Sequence, residues 1–126
     1  MDNLVLTDSA AVSRIFRPLS ENAGTVAYAD RDTNATVSGQ GEVVIQYSRA
    51  TPQRPTTRIV LRISDPKEEL VDGHLKAIAV PRFIGEFIIP SEGIVKLDRE
   101  NLLALVNSAL SSLTMAGYVK DLAPVL

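Results

Sequence analysis

Apolar and polar positions alternate with a period of two along most of the chain, and the period lengthens only near residue 98. A period of two belongs to strands whose faces meet different surroundings; the longer period belongs to a helix. NLVL, VSRIFRPLS and GTVAYA predict three strands. Pro18 limits the second to an edge or an irregular position, because proline has no N–H for the ladder. The segment DRDTNATVSGQG, rich in turn formers, interrupts the pattern. EVVIQYSR then places Val43, Ile45 and Tyr47 on one face and Val44, Gln46 and Ser48 on the other. After the linker ATPQRPT, the strand TRIVLRIS sets Ile59, Leu61 and Ile63 on one face and Arg58, Val60 and Arg62 on the other. These two strands predict an antiparallel pair. The loop DPKEELVDGH leads to a long strand, AIAVPRFIGEFIIP, in which Pro81 suggests a bulge or a free N–H at that point. There Phe83, Phe87 and Ile89 face one way, and Arg82, Ile84, Glu86 and Ile88 the other.

In DRENLLALVNSALSSL the apolar positions Leu102, Val106, Ala109, Leu110 and Leu113 form the stripe of an amphipathic helix. Asp98 is placed to cap it, with Glu100 near the positive end of the dipole. Gly117 ends the helix or separates it from a short last one in YVKDLA, and Pro124 stops helical growth. Strands first and helices last predict an α+β fold: an antiparallel sheet of about five strands with helices segregated to one face. Leu103 and Leu105 make the apolar stripe wider than a surface helix needs. Two unequal helices cover such a sheet poorly, so the pattern favours a second subunit that completes the core over a helix packed on its own sheet.

A length of 126 residues predicts a single domain spanning 1–126, long enough to bury its own core. Apolar residues make up 45% and charged residues 22%, which excludes global disorder. There is no cysteine, so disulfides, thiolate metal sites and a Cys nucleophile are excluded. MDNLVLTDSA carries an acid and a short apolar run, unlike a secretory signal, and no apolar run approaches the ~20 residues of a bilayer span. The expected setting is cytoplasmic, or an assembly made there.

Enzyme chemistry lacks its parts. His74, the one histidine, follows Asp-Gly in a loop without an evident catalytic partner. No serine sits in a nucleophile motif, Glu68 and Glu69 read as a solvated run, and Gly39 and Gly41 lack the strand-to-helix setting of a phosphate loop. No His, Asp and Glu set has metal-ligand spacing, so neither metal nor cofactor is expected.

The net charge of −2 argues against nucleic-acid binding, but the charge is unevenly spread. Between Val43 and Ser64 lie Arg49, Arg54, Arg58 and Arg62 with no acid among them. Arg58 and Arg62 stand ~13 Å apart along one strand face at ~3.3 Å per residue. That is about two phosphate spacings, and guanidinium suits bidentate phosphate contact. An ordinary solvated sheet face reads the same way on pattern alone.

The ordered combination of TRIVLRISDPK, FIGEFIIP and DRENLLALVNSALSSL with VKDLAPVL resembles the coat proteins of small single-stranded RNA phages, the levivirus type. The resemblance implies an N-terminal β-hairpin, an antiparallel sheet and two C-terminal helices. It implies an intertwined homodimer with a continuous sheet, each subunit's helices lying over its partner. In that dimer Leu102, Val106, Leu110, Ile59, Leu61, Phe83 and Phe87 belong to the shared core. Dimers would assemble into an icosahedral shell, a virion made in the bacterial host cytoplasm, with the open sheet face on the RNA genome. Arg58 and Arg62 match basic positions of that face and Glu86 a carboxylate on the last strand; Gln46, Ser48, Arg82, Arg49 and Arg54 join them as candidates. The segment of Pro66, Lys67, Glu68, Glu69, Asp72, Gly73 and His74 would be an inter-dimer loop with more than one conformation. The family also represses replicase translation by binding an RNA hairpin. Val44 and Val60 stand where other members hold small hydroxyl residues around an adenine, and Arg82 and Ile84 where they hold a stacking aromatic and an amide. Phosphate binding is therefore expected to be kept and hairpin readout to differ. The alternatives are a non-viral dimeric module whose sheet face takes an anion or a peptide and, for Arg82, a salt bridge to Glu86. No membrane or small-molecule partner is expected.

Overall fold

The computed structural model describes residues 2–34 and 36–122. It consists of two compact units, Met1–Ile89 and Pro90–Leu126. The first unit holds the strands β1 (Leu4–Thr7), β2 (Ser13–Asn22), β3 (Thr25–Asp30), β4 (Gly41–Ser48), β5 (Thr56–Ser64), β6 (Lys67–Val71), β7 (His74–Ala79) and β8 (Arg82–Pro90). Six of them form one sheet in the order β1-β2-β3-β4-β5-β8, and β6 and β7 form a separate pair. The N-terminal hairpin is present, as Leu4 pairs with Phe16 and Thr7 with Ser13. The sheet thus has one strand more than the five expected, and the additional pair lies outside it.

Two tight turns depend on left-handed backbone. Ala23 and Gly24 join β2 to β3 with φ of 44° and 88°, and Asp72 and Gly73 join β6 to β7 with φ of 51° and 80°. Positive φ at both central residues is what the twist of a two-residue hairpin demands. The segment expected to be a loop is therefore a β-hairpin. The Asp-Gly pair flanked by Leu70-Val71 and His74-Leu75 carried that signal in the sequence. The strand expected through AIAVPRFIGEFIIP, with an irregularity at Pro81, is instead divided there into β7 and β8. Pro81 lacks an N–H, and its carbonyl accepts from the Asp65 N–H at 3.1 Å, across the root of the hairpin. Pro18 behaves as expected of an irregular position: the β2–β3 register shifts between Pro18 and Ser20.

Phe16, Ala29 and Val43 form the buried apolar core of strands β2 to β4, and Asp30 is buried beside them with 1% exposure. A buried carboxylate requires full satisfaction. Arg14 Nε donates to Asp30 Oδ2 at 2.8 Å, the Thr33 hydroxyl donates to the same oxygen, and the N–H groups of Asp32 and Thr33 donate to Oδ1 at 3.1 and 3.3 Å. Burial pushes the Asp30 carboxyl up, but these hydrogen bonds outweigh it and hold its pKa below the ordinary carboxylate value. Arg14 also donates to Asp65 Oδ1 at 2.9 Å, so one guanidinium ties β2 to the end of β3 and to the exit of β5.

The second unit holds α1 (Lys96–Leu110) and α2 (Leu113–Asp121), which meet at a bend of 49°. Asp98 is the third residue of α1 rather than its cap; its carboxylate accepts from the N–H of Val95, the residue at the cap position, at 2.9 Å. The helical stripe breaks earlier than expected, at Ser111-Ser112. Ser112 Oγ donates to the Ala109 carbonyl at 2.7 Å and accepts from the Met115 N–H at 3.2 Å, so it closes one helix and caps the next. Leu113 consequently starts α2, and Gly117 lies inside it. Pro124 lies outside the described residues. No single helix among those described is long and apolar enough to cross a membrane. No residue of either helix is buried.

Candidate nucleic-acid interface

The pairing of β4 with β5 decides which side chains share a face. Ser48 lies opposite Arg58, Gln46 opposite Val60 and Val44 opposite Arg62. Directly opposed residues of an antiparallel pair project to the same side. Arg58, Arg62, Gln46 and Ser48 therefore occupy one face, while Val43, Ile45, Tyr47, Ile59, Leu61 and Ile63 occupy the other.

The arginines on this face are not equivalent. Arg62 Nη1 donates to Gln46 Oε1 at 3.3 Å and stays exposed. Arg58 Nε stands 3.8 Å from Glu86 Oε1, which draws β8 onto the same face and offsets part of the Arg58 charge. Glu86 thus faces Arg58 across the strands, and not Arg82, for which a bridge to Glu86 was the alternative to the RNA face. Arg54 is committed to the β4–β5 turn. Its Nη2 donates to Ser48 Oγ at 2.5 Å and to the Arg49 carbonyl at 3.2 Å, and its backbone bridges to Thr51. The Ser48 hydroxyl is engaged with it, whereas the Arg49 side chain remains exposed. Arg82 is exposed at the start of β8 and, with Arg62, lines an open concavity of about 460 Å³ that also touches Gln40, Glu42, Val44 and Ile84. On this face Arg62 and Arg82 present exposed guanidinium groups, while Arg58 is restrained by Glu86.

The candidate inter-dimer segment divides in two. Glu69 opposite Lys76, and Val71 opposite His74, form the outer part of the hairpin, with Asp72 and Gly73 at its tip. Its root is held by contacts that the sequence did not announce. Asn34 Nδ2 donates to the Pro66 carbonyl at 3.0 Å and to the Gly39 carbonyl at 2.7 Å. Glu68 Oε2 accepts from the Thr36 N–H at 2.8 Å and from its hydroxyl at 2.5 Å. Glu68 is therefore an anchor and not part of a solvated run, and Pro66 is buried while Lys67 is exposed. These partners lie 32 positions apart, a separation to which local pattern is blind.

None of the seven candidates for a shared core is buried within the chain. Ile59, Leu61, Phe87 and Val106 are half-buried, and Phe83, Leu102 and Leu110 are exposed by 38%, 39% and 45%.

No family model and no curated protein matches the sequence. Solved structures match it closely in shape: the chain has the fold of the coat proteins of levi-like phages. The virus-like particle of Beihai levi-like virus 21 matches with a TM-score of 0.89 at 15% identity, over 98% of this chain and 96% of that one. The virus-like particle of bacteriophage ESE058 matches with a TM-score of 0.88 at 21% identity, over 100% and 99%. The capsid protein of bacteriophage GA matches with a TM-score of 0.70 at 16% identity, over 96% and 94%.

Proposed function

We propose that the chain is a phage coat protein, a non-enzymatic subunit that dimerises and assembles into a closed shell around single-stranded RNA. The observation that carries the reading is the fold shared, over nearly the full length of both chains, with subunits of virus-like particles. Physical features support it. The two helices contribute no buried residue within the chain, and Leu102, Leu103, Leu105 and Leu110 are exposed on α1. Apolar surface of this extent marks a face meant for another protein. A second copy would cover it and bury Ile59, Leu61, Phe83 and Phe87 in a shared core. The arginine-bearing face would turn inward onto RNA, and the β6–β7 hairpin would meet neighbouring dimers. The same face would serve any hairpin-mediated repression of replicase translation. The virion, assembled in the cytoplasm of the bacterial host, is the setting this function requires.

Expression of the chain alone tests the proposal. Native mass measurement and electron microscopy should show closed particles, and the ratio of absorbance at 260 and 280 nm should show nucleic acid inside them. Discrete dimers or monomers across a range of salt and concentration would reject the shell and favour a small binding module.

A further inference from the structure

The β6–β7 hairpin lies outside the main sheet. Two short strands by themselves are marginal in water, so the hairpin's orientation must be set from elsewhere. Its pairing places Glu68 opposite Ala77 and Leu70 opposite Leu75, so these four residues share one face. Leu70 and Leu75 are exposed on it by 65% and 45%. Glu68 stands beside a register shift that bends the base of the hairpin between Lys67 and Glu68. Its carboxylate receives two hydrogen bonds from Thr36, and the hydroxyl of Thr36 in turn accepts from the Gly39 N–H at 3.0 Å. Asn34 holds the Pro66 carbonyl from the same loop. Packing is close here: a Cβ on Gly39 would fall 2.6 Å from Glu68 Oε2 and 2.7 Å from the Thr36 hydroxyl. The 31–40 loop and the hairpin root are therefore interlocked through charge-assisted bonds.

We infer that Glu68 is a positioning residue: through Thr36 it fixes the β6–β7 hairpin against the 31–40 loop and so sets the direction in which Leu70 and Leu75 meet the next dimer. The consequence for assembly rests on the shell reading above. The lock itself does not, because it belongs to the single chain.

The test compares the wild type with Glu68→Ala, Glu68→Gln and Thr36→Val, using hydrogen exchange of the 68–78 amides and the diameter distribution of assembled particles. In Glu68→Ala the hairpin amides should exchange about tenfold faster or more, the equilibrium worth of a lost charge-assisted hydrogen bond, while β4 and β5 amides stay protected. Its particles should spread over several diameters. Glu68→Gln keeps a neutral acceptor for the Thr36 N–H and should fall between the wild type and Glu68→Ala in both readouts. Thr36→Val removes the hydroxyl from the other side and should shift both in the direction of Glu68→Ala, which keeps the test decisive if that variant folds poorly. Unchanged hairpin exchange in both Glu68→Ala and Thr36→Val overturns the lock. Faster exchange with an unchanged diameter distribution overturns its role in assembly. A wild type that forms no particles overturns the shell reading, while the exchange data still decide the lock.

Discussion

Arg14 and Asp30 form the buried ion pair of the sheet, with Nε 2.8 Å from Oδ2 and the carboxylate 1% exposed. Losing the Asp30 carboxylate would leave Arg14 with only the exposed Asp65 as partner and would strip the N–H groups of Asp32 and Thr33 of their acceptor. Asp30→Ala should lower stability by roughly 3 kcal/mol or more, read as a shift in the urea midpoint. An equal loss in Asp65→Ala would contradict the assignment, because Asp65 is 57% exposed in its own contact with Arg14.

The same pair gives a pH dependence of definite sign. The folded-state pKa of Asp30 lies below its ordinary value of 3.8, so the unfolded chain binds the proton more readily. Stability from this group is complete above that value and is lost as pH falls through the folded pKa. Acid titration of the urea midpoint should therefore fall more steeply below about pH 4 in the wild type than in Asp30→Asn.

Gly24 and Ala23 should respond oppositely to substitution. Gly24 has φ of 88°, and a Cβ there would meet the Tyr47 carbonyl oxygen at 2.6 Å. Gly24→Ala should cost about 1–3 kcal/mol, since backbone strain and a backbone clash act together. Ala23, at φ of 44°, already bears left-handed strain, so Ala23→Gly should be neutral or mildly stabilising. Thermal melts of the two variants check the contrast.

On the sheet face, charge bookkeeping predicts three different salt responses. Arg62→Ala should weaken RNA binding across sequences and reduce the log–log salt slope by about one unit. Glu86→Gln releases Arg58 and should strengthen binding. Arg54→Ala should lower stability, since its guanidinium closes the β4–β5 turn, while leaving the slope nearly unchanged. Fluorescence titrations at several salt concentrations separate these outcomes.

On the proposed dimer, Leu102→Ala and Leu110→Ala should each weaken association by more than tenfold, given about 1.5–3 kcal/mol for a fully buried Leu side chain. Sedimentation at submicromolar concentration checks this. Unchanged dimer affinity in both variants would place the interface elsewhere.

Local pattern was sufficient wherever the deciding forces are local. The two faces of β4 and β5 followed from alternation, because a strand has a period of two and the register confirms it residue by residue. The irregularity at Pro18 followed from a missing donor. The Asp72-Gly73 turn is equally legible in its residues, but the short, charged strands that flank it carry little alternation.

By itself, the sequence determined the α+β order of elements, the arginine-bearing face and the wide apolar stripe of the helices, since each arises from side-chain type and spacing along one segment. Only the tertiary structure decided which charges are available. Arg54 is consumed by its own turn, Arg58 meets Glu86 across the sheet, Asp30 is buried against Arg14, and Glu68 is gripped by a loop 32 positions away. A charge declares its role through its partner, and partners distant in sequence become neighbours only when the chain folds.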